Sequence, residues 1–216
     1  MKIFLSISLF TLLLFTGCDS EFDLTSPMNG LTKLTSEEPL PEDIINDLQC
    51  IYPREDNNRL YPPGSDSIFI PVNIPSVMSP QLRVSNVIDG IIGGVLTINF
   101  EYYVTELNVI KINASLIFLP GSFDGSKEIS MVMDNTIGTI SFYPHMVFDI
   151  PAQLNLVYTG INLSEVNTNS IDFIFQNDDG LTEQVNYDAI KVLPEVGYLE
   201  LINASLEHFS RYGWTR

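Results

Sequence analysis

Short segments rich in β-branched and aromatic residues fill the chain after residue 67, and residues that favour tight turns separate them. Within the segment from Ser170 to Phe175, Ile171 and Phe173 fall on one face of an extended chain, and Phe175 continues that face. No long run after Pro71 has a helical period. The pattern predicts an all-β fold, an antiparallel β-sandwich of immunoglobulin-like type. The predicted strands are IFIPVNI, LRVSNVI, VLTINFEYYV, INASLIFL, EISMVM, GTISFY, QLNLVY, SIDFIF and YLELINASL.

A loop with the turn residues Pro120, Gly121 and Gly125 follows the strand INASLIFL. Proline ends a strand because it lacks an amide hydrogen, and the second glycine allows a tight reversal of the chain. This spacing predicts that residues 116–119 and 129–133 lie as neighbours.

The first residues of the chain have the composition of a secretory signal. Lys2 precedes an apolar run from Ile3 to Phe15, which is too short to cross a bilayer, and a glycine precedes Cys18. The sequence LFTGC resembles the lipobox of bacterial lipoproteins. The resemblance implies a signal peptide over residues 1–17, a lipidated Cys18 as the first mature residue, and a place in the bacterial cell envelope, on the outer membrane. The alternative is a plain secretory signal with a coincidental cysteine.

The chain has two cysteines. If the lipid anchor uses Cys18, Cys50 has no intramolecular partner, so no structural disulfide is expected and Cys50 is predicted to behave as a small apolar residue. One cysteine and two distant histidines do not have the spacing of a metal site.

The charge of the chain restricts its partners. The sequence contains 10 basic and 27 acidic residues, a formal net charge of −17 at pH 7. Such a surface repels phosphate backbones, which argues against nucleic acid as a partner. Hydrophobic residues make up 45% of the chain, enough for a packed core.

Acidic residues, serine, threonine and proline dominate residues 18–67, which are predicted to form a flexible tether between the lipid and the domain. A short helix is expected inside the tether, because Pro41 and two acids open PEDIINDLQC and its isoleucines and leucine share one face. The sandwich domain is predicted over residues 68–216.

Three segments together resemble the ZU-five family of β-sandwich domains, found in ankyrins, netrin receptors and bacterial surface proteins. They are INASLIFLPGSFDGSKEISMVMD, ISFYPHMVFDIPAQLNLVYTGINL and LEHFSRYGW, in the family's order, from Gly93 to Trp214. The resemblance implies a sandwich used for binding or coupling rather than a small-molecule pocket. We expect an envelope protein or polysaccharide as its partner and no cofactor.

The closing segment contains His208, Phe209 and Ser210, a tripeptide that is a self-cleavage site in some ZU-five-type domains. In that reaction the Ser210 hydroxyl attacks the Phe209 carbonyl in an N-to-O acyl shift, and His208 accepts the proton. The alternative is one closing strand, in which Phe209 enters the core, His208 and Ser210 share the opposite face, and later aromatics cap the sandwich. We expect the closing strand and a non-enzymatic protein, with self-processing as the alternative.

Two further candidates are weaker. His145 follows a proline in a predicted turn, where a lone histidine is typically structural. Asp178 and Asp179 supply oxygen atoms of the kind that calcium prefers, but they lack the spacing of a calcium loop, and a hairpin turn explains them better.

Overall fold

A computed structural model of the chain describes residues 49–52, 67–68, 82–105, 108–134, 138–164, 166, 171–176 and 182–215. Over these residues the chain forms thirteen β-strands and a single 3₁₀ turn, Pro194–Val196. The all-β prediction is confirmed. The strands are β1 (Gln49–Ile51), β2 (Ser67–Ile68), β3 (Leu82–Asp89), β4 (Gly94–Thr105), β5 (Asn108–Phe118), β6 (Ser126–Met133), β7 (Ile140–Tyr143), β8 (Val147–Thr159), β9 (Asp172–Gln176), β10 (Thr182–Gln184), β11 (Ala189–Leu193), β12 (Tyr198–His208) and β13 (Arg211–Thr215).

The strands form two antiparallel sheets that pack face to face as a sandwich. The first sheet has the order β1-β11-β12-β8-β5-β4. The second sheet has the order β10-β9-β13-β7-β6-β3, and β2 also pairs with β13. On the edge of β13 that faces away from β9, Arg211 and Tyr212 pair with β7, whereas Trp214 pairs with β2. The last described strand therefore lies in the middle of its sheet.

The hydrophobic core fills the space between the sheets. Every second residue of β8 from Ala152 to Tyr158 is fully buried, and β5 and β12 show a similar alternation. Burying an apolar side chain contributes about 1.5–3 kcal/mol relative to leaving it in water. The residues predicted on one face of SIDFIF agree with this arrangement, since Ile171 and Phe173 are buried in the same core.

The loop between β5 and β6 crosses from one sheet to the other. Residues 116–118 belong to the first sheet and residues 129–133 to the second, so the prediction that these segments are neighbours is wrong. The amide of Gly121 donates to the carbonyl of Gly90, which ties the crossing loop to the β3–β4 turn. A Cβ atom on Gly90 would lie 2.0 Å from the Phe123 carbonyl oxygen, so the close approach requires glycine there.

Two predicted boundaries change. Gln49–Ile51 pairs with β11 at the edge of the first sheet, so the sandwich includes a strand from the segment predicted as a tether. Gln49 and Cys50 also formed the end of the predicted helix; they are extended, and the rest of that helix lies outside the described residues. None of the helices in the described part of the chain is long and apolar enough to cross a membrane.

Candidate functional site

The segment around Phe209 is a crossover between the two sheets. β12 ends at His208 in the first sheet, and β13 begins at Arg211 in the second. The prediction of one closing strand is therefore wrong, because Phe209 and Ser210 belong to neither strand. Phe209 is nevertheless buried, as predicted, and its ring stacks on Phe142 with the ring centres 5.1 Å apart.

Hydrogen bonds fix the crossover on both sides of the Phe209–Ser210 bond. The Phe209 amide donates to the Met146 carbonyl at 2.8 Å, and the Ser210 carbonyl accepts from the Phe142 amide at 2.9 Å. The Nδ1 atom of His145 lies 3.2 Å from the Phe209 carbonyl oxygen. A carbonyl oxygen can only accept, so this contact is a hydrogen bond when His145 carries its proton on Nδ1.

Tyr212 anchors the crossover from β13. Its hydroxyl group donates to the His208 carbonyl. Burial raises the pKa of Tyr212 well above its ordinary value, and the negative charges of Glu207 and Glu183 raise it further. Tyr212 and Trp214 are among the largest fully buried side chains, so they belong to the core and do not cap the sandwich as predicted.

The structure does not bring the two predicted self-cleavage groups together. The His208 ring packs edge-on against Phe175, with ring centres 4.6 Å apart, and its Nδ1 lies 3.5 Å from the Tyr212 hydroxyl. Among the described residues, no hydrogen bond joins the His208 ring to the Ser210 hydroxyl. The histidine in contact with the Phe209 carbonyl is His145, which we had interpreted as an ordinary turn residue.

Cys50 is disulfide-bonded, so the expectation that it has no partner is wrong. The sequence has one other cysteine, Cys18, which lies outside the described residues. A lipid thioether and a disulfide both use the sulfur of a cysteine. For Cys18 the two bonds are therefore alternatives, and the predicted lipidation stays a prediction.

Asp178 and Asp179, the weak calcium candidates, also lie outside the described residues. In the part of the chain that the structure describes, no group of three or more His, Cys, Asp or Glu side chains could hold a metal ion.

An open cleft of about 560 Å³ lies on the outer face of the second sheet, opposite the core. We call it the arginine cleft. Its lining residues are Arg83, Val132, Asp134, Thr139, Ser141, Tyr143 and Arg211.

Strand register explains how the cleft is assembled. Arg83 on β3 pairs with Val132 on β6, Val132 with Ser141 on β7, and Ser141 with Arg211 on β13. Residues paired across a sheet share a face, so the two arginines stand at the two ends of one outward row. Three strand spacings separate their backbones, about 14 Å.

Arg83 contacts a hydroxyl group, and neither arginine has a carboxylate partner among the described residues. Arg83 Nη2 donates to the Ser130 hydroxyl at 3.0 Å. The ion pairs among the described residues are Lys111 with Glu101 and Lys191 with Glu200, and neither arginine takes part in one. Sequence reasoning missed this site because Arg83 and Arg211 are far apart in the chain and only strand pairing brings them together.

No protein-family model, curated protein or solved structure matches the chain. The resemblance to the ZU-five family therefore stays a prediction.

Proposed function

We propose that this chain is a lipid-anchored protein of the bacterial outer membrane, and that its sandwich is a non-enzymatic module that binds another envelope component through the arginine cleft. The observation that carries the binding proposal is the pair Arg83 and Arg211 at one concave surface, with no carboxylate partner among the described residues, in a chain with a net charge of −17. Where acidic residues greatly outnumber basic ones, two cations that face solvent together are available to a ligand.

The anchor is supported by the lipobox-like LFTGC and by the acidic, proline-containing residues that follow it. In the anchored protein the Cys18 sulfur carries the lipid, so Cys18 is not the disulfide partner of Cys50 in that form. A single acyl chain gives only marginal membrane binding, and a lipoprotein carries several, so the anchor would hold the sandwich stably at the membrane.

The anchor is tested by growing cells that produce the full-length protein with an alkyne-labelled fatty acid. We expect the label to be incorporated and the mature chain to begin at Cys18. A Cys18→Ala protein is expected to lose the label and to keep its signal peptide. An unlabelled chain that is still cut after the signal would contradict the anchor and support the plain secretory signal.

Binding is tested by sedimentation with envelope fragments from cells that lack the gene. We expect the solubilised wild-type protein to sediment with the fragments and the variant Arg83→Gln/Arg211→Gln to stay in solution. The matched control is Lys111→Gln/Lys191→Gln, which removes the same number of positive charges from the first sheet and should sediment like the wild type. If both variants lose sedimentation to the same extent, net charge explains the effect and the cleft is not the binding site.

Self-processing at the Phe209–Ser210 bond is a second candidate, and one observation favours it. A protonated Nδ1 of His145 would stabilise negative charge on the Phe209 carbonyl oxygen while the Ser210 hydroxyl attacks the carbonyl carbon. The Oγ–C bond would form, the hydroxyl proton would pass to the departing amide nitrogen, and the C–N bond would break to free the Ser210 amine. Water would then hydrolyse the ester to the Phe209 carboxylate and the Ser210 hydroxyl.

The denatured intact mass separates the two candidates, because a cleaved strand could stay paired in the native sheet. Self-processing predicts a mass lowered by the peptide from Ser210 to Arg216, and full mass in Ser210→Ala and His145→Gln. The binding proposal predicts full mass in all three proteins.

A further inference from the structure

We propose that the ligand of the arginine cleft is an acidic polysaccharide, whose carboxylate or sulfate groups bind Arg83 and Arg211 while its hydroxyl groups lie between them. This inference rests on the proposed function, since it names the ligand of the same site.

The arginines define the charge of the ligand. Guanidinium groups bind carboxylate and sulfate oxygens through paired hydrogen bonds, and such charge-assisted bonds are the strong ones. With about 14 Å between the two backbones, separate negative groups along an extended chain fit the row better than one small anion does. A polymer with repeated acidic units provides that arrangement.

The floor of the cleft is suited to sugar hydroxyl groups. Ser141 and Thr139 line it with hydroxyl groups, which can both donate and accept. An anionic group would avoid Asp134, so the negative charges of the ligand belong at the two ends of the row. Along the paired row the lining runs from a cation through Val132 and Ser141 to a second cation, which suits a ligand with its charges towards the two ends.

Tyr143 provides an aromatic wall at the rim. Its side chain is 44% exposed, and its ring is supported edge-on by His145 with the ring centres 5.5 Å apart. An aromatic ring with a polar tip can pack against the apolar face of a sugar while its hydroxyl group reaches water.

An acidic peptide fits this surface less well. Peptides that bind to sheets typically add a strand to an open edge, where backbone groups are unpaired. The floor of the cleft is formed by β6 and β7, which are paired within the second sheet, so it has no open edge. The centre of a protein interface is typically apolar, and Val132 is the only aliphatic side chain among the described residues that line the cleft.

The test uses the mature, lipid-anchored chain in detergent micelles and titration calorimetry with four polymers. Polygalacturonate carries carboxylates, dextran sulfate carries sulfates, dextran is neutral, and polyglutamate is an acidic peptide. We expect one or both acidic polysaccharides to bind, and dextran not to bind. Arg83→Gln and Arg211→Gln should each weaken that binding roughly tenfold.

Two further variants show whether the arginines act as a site. Tyr143→Ala should weaken polysaccharide binding and leave any binding of polyglutamate unchanged. Lys111→Gln removes one positive charge from the other sheet and should change nothing. Thermal melting of every variant shows that it is folded.

Each contrary result has a definite meaning. If dextran binds as tightly as the acidic polymers and needs the arginines, the cleft binds glycans but the acidic ligand is refuted. If polyglutamate binds as tightly as polygalacturonate and its affinity is unchanged by Tyr143→Ala, the ligand is an acidic protein. If no polymer binds while the cleft still directs sedimentation with envelopes, the ligand class is wrong and the proposed function survives.

Discussion

Positively charged side chains have different surroundings on the outer faces of the two sheets. On the first sheet, Lys111 faces Glu101 and Lys191 faces Glu200 across paired strands, at 3.4 and 3.5 Å. On the second sheet, Arg83 and Arg211 stand in one row with Val132 and Ser141 between them. The first face neutralises its own cations, whereas the second presents them to solvent. Two faces of one sandwich can therefore have different roles although the same core supports both.

The largest expected effect comes from removing the side chain that packs against both sheets, because the same core supports both outer faces. Phe209 contacts Phe118 and Phe148 from the first sheet and Phe142 from the second. We expect Phe209→Ala to lower the free energy of unfolding by about 3–5 kcal/mol, because it leaves a cavity between the sheets. Urea denaturation measures the loss.

The control for that variant is Val147→Ala, since the Val147 side chain is 77% exposed. Its effect should stay within about 0.5 kcal/mol. Similar losses in the two variants would mean that Phe209 does not join the sheets.

High pH should weaken both sheets by the same mechanism. Burial raises the pKa of Tyr158 in the first sheet and of Tyr212 in the second. A tyrosine whose folded pKa exceeds its unfolded value of about 10 stabilises the fold fully below pH 10, and the contribution is lost as pH rises towards the folded pKa. At about pH 11 the raised pKa of each of these residues should lower the free energy of unfolding by about 1.4 kcal/mol relative to neutral pH.

The measurement is the free energy of unfolding between neutral and alkaline pH for wild type, Tyr158→Phe and Tyr212→Phe. Each variant should lose less stability on the alkaline side than the wild type. The exposed Val147 supplies the control, because Val147→Ala removes no titratable group and should keep the wild-type pH dependence. If Tyr158→Phe or Tyr212→Phe shows the same dependence of the unfolding free energy on pH as the wild type, the prediction for that residue is wrong.

The smallest expected effect concerns the ion pairs of the first face. A double-mutant cycle with Lys191→Met and Glu200→Gln should give a coupling free energy of about 0.2–1 kcal/mol, because both side chains are partly exposed. Arg83→Gln and Arg211→Gln should change stability by less than about 0.5 kcal/mol and should show no coupling to a carboxylate. A coupling as large as that of the lysine pair would remove the contrast between the two faces.

The sequence predicted most of the long strands, but it did not predict the short strands β1, β10 and β11 or the way in which the strands pair. Alternation such as Ile171 and Phe173 predicts which side chains enter the core, because it depends only on local geometry. Assignment of a strand to one sheet or the other depends on contacts between distant segments, so the hairpin predicted between residues 116–119 and 129–133 was wrong.

The crossover had a local signal that we did not use. The buried residues Phe209, Tyr212 and Trp214 are spaced by three and then by two positions, so the alternation changes phase after Phe209. A strand of period two cannot bury all three on one face, and the change marks the bend. The arginine cleft has no such signal, because its two arginines come from strands near opposite ends of the described chain.

The central position of β13 has a consequence for how the protein matures. Without β13 the second sheet consists of two pieces, β10-β9 and β7-β6-β3, each with a bare strand edge. All of these strands precede β13 in the chain, so a polypeptide that crosses a membrane from its amino terminus delivers the pieces first and the strand that unites them afterwards. The unpaired backbone groups of such edges can form hydrogen bonds with strands of other chains. If the protein is exported as we propose, export includes an interval in which other chains must be kept from those edges until β13 arrives.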